Sequence, residues 1–204
     1  MAAKDDDVES IIMHIDSPGG SVPGTAELAN DVGKVNKEKP VTAHIDDLGA
    51  SAAYWVASQA GRIVANATAE VGSIGTYAVI TDSSGKAAAE GIRVHVISTG
   101  EKKGIGVPGT AMDESGLAYI RERVEALNAH FLLAVQGGRQ LSDKRMSDLS
   151  DGRVVIASEA KKLGLIDGIQ SLDDTLASLI PKKASTRNRA KATLKLLDIR
   201  ASML

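Results

Sequence analysis

The chain contains no cysteine and few aromatic residues: one Trp, three Tyr and one Phe in 204 residues. Without cysteine there is no disulfide and no thiolate-held zinc or iron–sulfur site. Its four histidines, His14, His44, His95 and His130, show no close ligand spacing, so no histidine-held metal is expected. With aromatics at 2%, the core must come mainly from Ala, Val, Ile and Leu, and such small side chains favour regular α/β layers over a loop-rich scaffold. No apolar run approaches the ~20 residues of a membrane span. The start, Met1-Ala-Ala-Lys-Asp-Asp-Asp, is polar and acidic, so neither a signal peptide nor an anchor is expected in this chain.

What is present is a soluble-protein balance of 43% hydrophobic and 25% charged residues. The length suits one domain of ordinary size, or one domain with a tail. Residues 1–9 read as a polar lead, 10–181 as the domain and 182–204 as a basic tail. From Lys182 onward seven Lys or Arg stand against one acid, Asp198, although the whole chain carries a net charge of −2. No aromatic is interleaved there for base stacking, so the tail reads as a solvated extension and nucleic acid is not an expected partner.

Ile11-Ile-Met-His-Ile15 is a short apolar run stopped by Asp16-Ser-Pro-Gly-Gly20, a strand running into a glycine turn. Thr25 to about Asn36 has helical spacing, Val41–Ile45 reads as a second strand, Ser51–Ala60 as a helix and Arg62–Ala65 as a third strand. This strand-turn-helix unit, occurring twice, predicts a largely parallel sheet with packed helices. Further on, the pattern predicts a helix over Ser84–Glu90, a strand over Ile92–Ile97, and a loop from Ser98 to Met112. Asp113 can cap a long helix that Gly137-Gly138 should end. Short helices near Ser142–Leu149, Ser158–Leu163 and Leu172–Ile180, with a strand at Arg153–Ile156, complete the domain.

The chemical signal lies in Asp47-Leu-Gly-Ala-Ser51-Ala-Ala-Tyr-Trp55, a serine among small residues where a strand meets a helix. Small neighbours let a carbonyl approach, and free N–H groups at a helix start can stabilise an oxyanion. A nucleophilic serine needs a base. His44, His95 and His130 are candidates by residue type, and so are Lys102 and Lys103 in the glycine-rich Ser98-Thr-Gly-Glu-Lys-Lys103, provided burial keeps a lysine partly neutral. In Asp16-Ser-Pro-Gly-Gly20 the two glycines let backbone amides point outward at a strand end, as an oxyanion hole or a docking edge for an extended peptide requires.

Taken in order, Ile15-Asp-Ser-Pro-Gly-Gly-Ser-Val22, Gly49-Ala-Ser-Ala-Ala-Tyr54, Val71-Gly-Ser-Ile-Gly75, Ser98-Thr-Gly-Glu-Lys-Lys103 and Asp151-Gly-Arg-Val with Glu159-Ala-Lys-Lys-Leu-Gly-Leu-Ile-Asp167 resemble the signal peptide peptidase A family of serine proteases. The resemblance implies a fold shared with the Clp protease proteolytic subunit and crotonases, and a Ser/Lys dyad. It places the nucleophile on Ser51, the general base on Lys103, the serine supporting that lysine on Ser73, and the oxyanion-hole amides on Gly20 and Ala52. Gly19, Gly20 and Ser21 take the substrate-strand positions. Ala52-Ala53 stands where Gly-Gly is more usual, and Lys102 where a histidine is frequent. Relatives carry at least one more strand before Ile11, so the sheet edge beside that strand is expected to be incomplete.

The resemblance further implies a peptide or protein substrate, a homo-oligomeric ring, no cofactor, and a cytoplasmic or phage-prohead setting, with membrane association if an anchor precedes this chain. The expected activity is endopeptidase cleavage in extended segments, in phage capsid maturation or signal-peptide degradation. The alternatives are an assembly scaffold that keeps the fold without a competent site, and a crotonase-type acyl-CoA enzyme.

Overall fold

The computed structural model describes residues 2–180 and, as backbone, 196–199. The chain divides into two compact units, residues 1–75 with 130–204 and residues 76–129. The basic segment from Lys182 lies outside the described residues except for that short piece of backbone.

The first unit is mixed α/β. Its strands are β1 (Ile11–Ser17), β2 (Val41–Ala50), β3 (Arg62–Ala65), β4 (Glu70–Gly72), β5 (Val154–Ile156), β6 (Gly168–Ile169) and β7 (Leu196–Ile199). They form one seven-stranded sheet in which only β4 and β5 pair antiparallel. Helices α1 (Thr25–Glu38) and α2 (Ala52–Ala57) follow β1 and β2. In the second unit, α3 (Ser84–Ala89) precedes α4 (Glu114–Arg139), whose residues from His130 on belong to the first unit. The first unit then adds α5 (Asp143–Leu149), α6 (Ala157–Leu163) and α7 (Leu172–Leu179). No helix of the described residues is long and apolar enough to cross a membrane.

Strand β2 organises the sheet. Along one edge it pairs with β1; along the other it pairs with β3 from Thr42 to Ile45, then with β4 from Leu48 to Ala50. The change of partner coincides with a bulge, since β1 advances from Ile15 to Ser17 while β2 advances from Ile45 to Gly49. The edge expected to stand open beside β1 is occupied by β7, in parallel register from Ile12 opposite Leu196 to Ile15 opposite Ile199.

Alternation sets the core. Ile11, Met13 and Ile15 of β1, Ala43 and Ile45 of β2, and Ile63 and Ala65 of β3 share one cluster with Ala29, Tyr54, Trp55, Phe131 and Val135. The aliphatic core read from composition is present, but Trp55 and Phe131 add a stacked ring pair, with centroids 4.7 Å apart, between α2 and α4. Gly137-Gly138 does not end α4, which continues to Arg139. Gly138 is small for a tertiary reason: a Cβ there would run into the Ser58 carbonyl. The glycine permits two elements to approach instead of stopping a helix.

In the second unit Asp113 caps α4 as expected, accepting the Gly116 N–H at 2.7 Å. The strand expected over Ile92–Ile97 is not formed. Its residues are exposed, Ile97 to 98%, and without a neighbour to complete its ladder an alternating segment has no sheet to join.

Candidate active site

Ser51 sits between the end of β2 and the start of α2 with φ 52° and ψ −125°. This backbone conformation is rare for any residue with a side chain and costs about 1–3 kcal/mol. It persists because both backbone groups are held. The Ser51 N–H donates to Gly72 O at 2.9 Å, and its carbonyl accepts the Trp55 N–H at 2.9 Å. A serine at a helix start ordinarily turns its hydroxyl back to cap the first turn. Here it does not, and among the described residues the Ser51 Oγ has no hydrogen-bond partner.

The glycine turn meets this junction directly. Gly19 has φ 106°, and a Cβ on it would lie 2.6 Å from Ser51 Cβ, 2.7 Å from Ala50 O and 2.8 Å from Ala52 N. Only glycine fits. Its N–H donates to Ser17 Oγ at 3.2 Å. Exposed Gly20 comes next, and neither its N–H nor that of Ala52 donates to another described group. Ser21 is exposed too, its carbonyl accepting the Thr25 hydroxyl at 2.8 Å.

Ser73 is tied in through β4. Its neighbour Gly72 holds Ser51, while the Ser73 N–H donates to Arg153 O at 2.7 Å with φ 52°. A Cβ on Gly72 would lie 2.8 Å from the same Arg153 carbonyl. Gly19, Ser51, Ala52 and the Gly72–Ser73 step thus form one backbone assembly in the first unit.

Behind it stands the clamp that holds α2. The Tyr54 hydroxyl donates to Leu165 O at 2.7 Å, and burial pushes its pKa up. Asp167 accepts the Ile63 N–H at 2.7 Å and pairs with Arg139 at 2.6 Å. Burial opposes its charge, yet the Arg139 and Ile63 donors outweigh it and lower the Asp167 pKa. The Leu-Ile-Asp167 motif therefore anchors α2, β3 and α4.

Lys103 belongs to the second unit and is exposed, so the burial expected around a lysine base is not found at this residue. Lys102 and Lys103 differ there: the Lys102 ammonium lies 5.9 Å from the Tyr119 ring centroid, while the Lys103 ammonium has no partner among the described residues. Of the histidines, His95 and His130 are exposed. His44 is fully buried, with Nδ1 2.9 Å from Thr175 Oγ1, and burial lowers its pKa.

Sequence reading missed His14, Asp46 and Asn66. The Asp46 carboxylate accepts hydrogen bonds from His14 Nε2 at 3.0 Å and from the Asn66 amide at 2.6 Å. A signal was available: histidines at matching places in two apolar strands, His14 and His44, mark a polar strip on one sheet face.

The profile of Peptidase family S49 matches residues 33–185. Among curated proteins, the chain is 34% identical to "Putative protease MJ0651" of Methanocaldococcus jannaschii, over 86% of this chain and 57% of that protein. It is 29% identical to "Capsid assembly protease C" of Escherichia phage lambda, over 86% of this chain and 40% of the relative. To "Protease 4" of Salmonella typhi it is 26% identical, over 86% of this chain and 28% of the relative. The chain thus spans little more than half the length of the first of these relatives and less of the others. A profile match over most of the chain, together with a serine held at a strained strand-to-helix junction against a glycine turn, places this protein in peptidase family S49.

Proposed function

We propose that the protein is a serine endopeptidase that cleaves extended or unfolded protein segments, with Ser51 as nucleophile and Lys103 as general base, on a Clp protease/crotonase-like fold. The carrying observation is the Ser51 junction, where a backbone conformation that favours glycine is kept on a serine whose hydroxyl caps nothing. Strain retained at one side chain of this kind is characteristic of a functional position. Lys103 is assigned from its place in the loop motif, and its unpartnered ammonium, beside a Lys102 engaged with Tyr119, supports that choice over its neighbour.

In the proposed reaction neutral Lys103 takes the Ser51 hydroxyl proton as Oγ bonds to the scissile carbonyl carbon. The amides of Gly20 and Ala52 receive the resulting oxyanion. The lysine then returns the proton to the departing amine as the C–N bond breaks, leaving an acyl ester on Ser51. Water, deprotonated by the same lysine, releases the acid and restores the hydroxyl. Ser73 is proposed to hold the lysine amine. The substrate lies extended beside Gly19, Gly20 and Ser21, with small or medium apolar residues such as Ala, Val or Leu before the cut. No cofactor takes part. The phage relative's name suggests capsid assembly as the setting, and the resemblance to the signal peptide peptidase A family suggests signal-peptide degradation. A ring of copies is expected, and Tyr77 and Ile97, exposed to 86% and 98%, offer apolar surface for one.

The direct test is labelling with a fluorophosphonate, then peptide mapping. Modification at Ser51, absent in Ser51→Ala, supports the reading. An unlabelled, folded wild type overturns it and favours the scaffold alternative. Activity should rise toward alkaline pH, since a lysine base works only when neutral; an acid optimum excludes it.

A further inference from the structure

The polar strip behind the junction is not used by the proposed reaction. At the bulge β2 leaves β3 after Ile45 and joins β4 at Leu48, so its ladder is interrupted over Asp46 and Asp47. A bulge next to a site re-aims the residues beyond it, and the strand's direction must then be held by other bonds. Gly49, just past the bulge, lies opposite both Ser17 and Val71, and a Cβ there would be 2.7 Å from Ile45 Cδ1, so the turn is tightly confined. Ser51 stands two residues later.

The side chain spanning the interruption is Asp46. One carboxylate oxygen accepts from His14 Nε2 of β1 at 3.0 Å, the other from the Asn66 amide just after β3 at 2.6 Å. A single half-buried carboxylate therefore ties the bulged strand to both neighbours where the ladder cannot. The chain runs from His14 through the end of β1 at Ser17 to Gly19, and from Asp46 through the end of β2 at Ala50 to Ser51; these are the two segments that meet where Gly19 touches Ser51. Their relative placement sets whether the hydroxyl and the free amides of Gly20 and Ala52 converge on one carbonyl.

We propose that Asp46 is a positioning residue: through His14 and Asn66 it holds the bulge of β2 that aims Ser51 at the glycine turn. This rests on Ser51 being the nucleophile. Asp46 touches no reacting atom, so its effect is on geometry, to which nucleophilic attack is steeply sensitive.

The experiment compares fluorophosphonate labelling rates of the full chain and its variants, with thermal melting as a stability control. Trp55, the only tryptophan, reports by fluorescence whether α2 remains stacked on Phe131. Asp46→Ala is expected to label about tenfold more slowly at unchanged Trp55 emission, and Asp46→Asn, whose amide can still accept from Asn66 and donate to the other His14 tautomer, within about threefold of wild type. Should Asp46→Ala fail to fold, Asn66→Ala, which removes one tie, is expected to slow labelling about threefold. Labelling of folded Asp46→Ala at the wild-type rate with a lowered melting temperature overturns the proposal, as does equal slowing by Asp46→Asn, or wild-type labelling of Asn66→Ala if it is the variant that folds. An unlabelled wild type overturns the Ser51 assignment and this proposal with it, a result distinct from a labelled wild type with indifferent variants.

Discussion

Ile11–Ile15, a nearly continuous apolar run, and Ile92–Ile97, an alternating one, are both short segments of strand-forming residues, yet they end up in opposite states. In the first unit, Ile11, Ile12, Met13 and Ile15 are at most 4% exposed, between β2 and β7. In the second, Ile92, Val94, Val96 and Ile97 are 37% to 98% exposed and pair with nothing described. Alternation specifies which residues share a face. Burial needs a partner on each edge and a layer on the face, and those come from elsewhere in the chain.

The largest effects should come from changes that separate chemistry from packing in both units. If the proposed Ser51/Lys103 pair acts as one unit, Ser51→Ala in the first and Lys103→Ala in the second should each reduce peptide turnover by roughly 10³-fold or more, with the double variant little worse. Lys102→Ala should keep most activity. Turnover measured alongside circular dichroism checks this; a reversal of the two lysine results would show that the base lies one residue earlier.

Packing is tested next. Ile63→Ala, at a fully buried position of β3, should lose about 2–5 kcal/mol in urea denaturation. Ile97→Ala should stay within about 0.5 kcal/mol unless copies associate through that surface. A change in solution mass for Ile97→Ala would mark it as an interface.

Glycines sharpen the same contrast. Gly19→Ala should cost about 3 kcal/mol and abolish labelling of Ser51, since its methyl must displace backbone on both sides of Ser51. Gly85→Ala, inside α3 with open space around it, should instead stabilise by up to about 1 kcal/mol.

The smallest effect concerns pH. Burial lowers the His44 pKa, with only partial compensation from Asp46. The unfolded state therefore binds the extra proton first, so the stability contributed by neutral His44 is complete above the unfolded pKa of about 6.5 and is lost as pH falls toward the lower folded value. Melting temperatures of wild type and His44→Gln should converge as the pH drops from 7 to 5. Parallel curves would remove His44 from the acid sensitivity.

Much of the fold was legible in the sequence where local chemistry decides. The strand at Ile11, the helix from Thr25, the strand at Arg62 and the Asp113 cap arise from periodicity and hydrogen-bonding groups within a few residues of one another. The boundaries that moved were those set from a distance. β2 runs five residues beyond Ile45 because β4 takes over as its partner, and α4 passes through Gly137-Gly138 because Gly138 faces Ser58.

The candidate site divides the same way. That a serine among small residues comes after a strand, and that a Pro-Gly-Gly turn ends another, can be read from the chain alone, because residue type limits what the backbone and a nucleophile can do there. That Gly19 lies against Ser51, that Ser51 is held at φ 52° by Gly72, and that Asp46 bridges His14 and Asn66 are decided only by tertiary structure. These contacts join residues 20 to 32 positions apart, and no local pattern encodes the register that brings such positions within bonding distance.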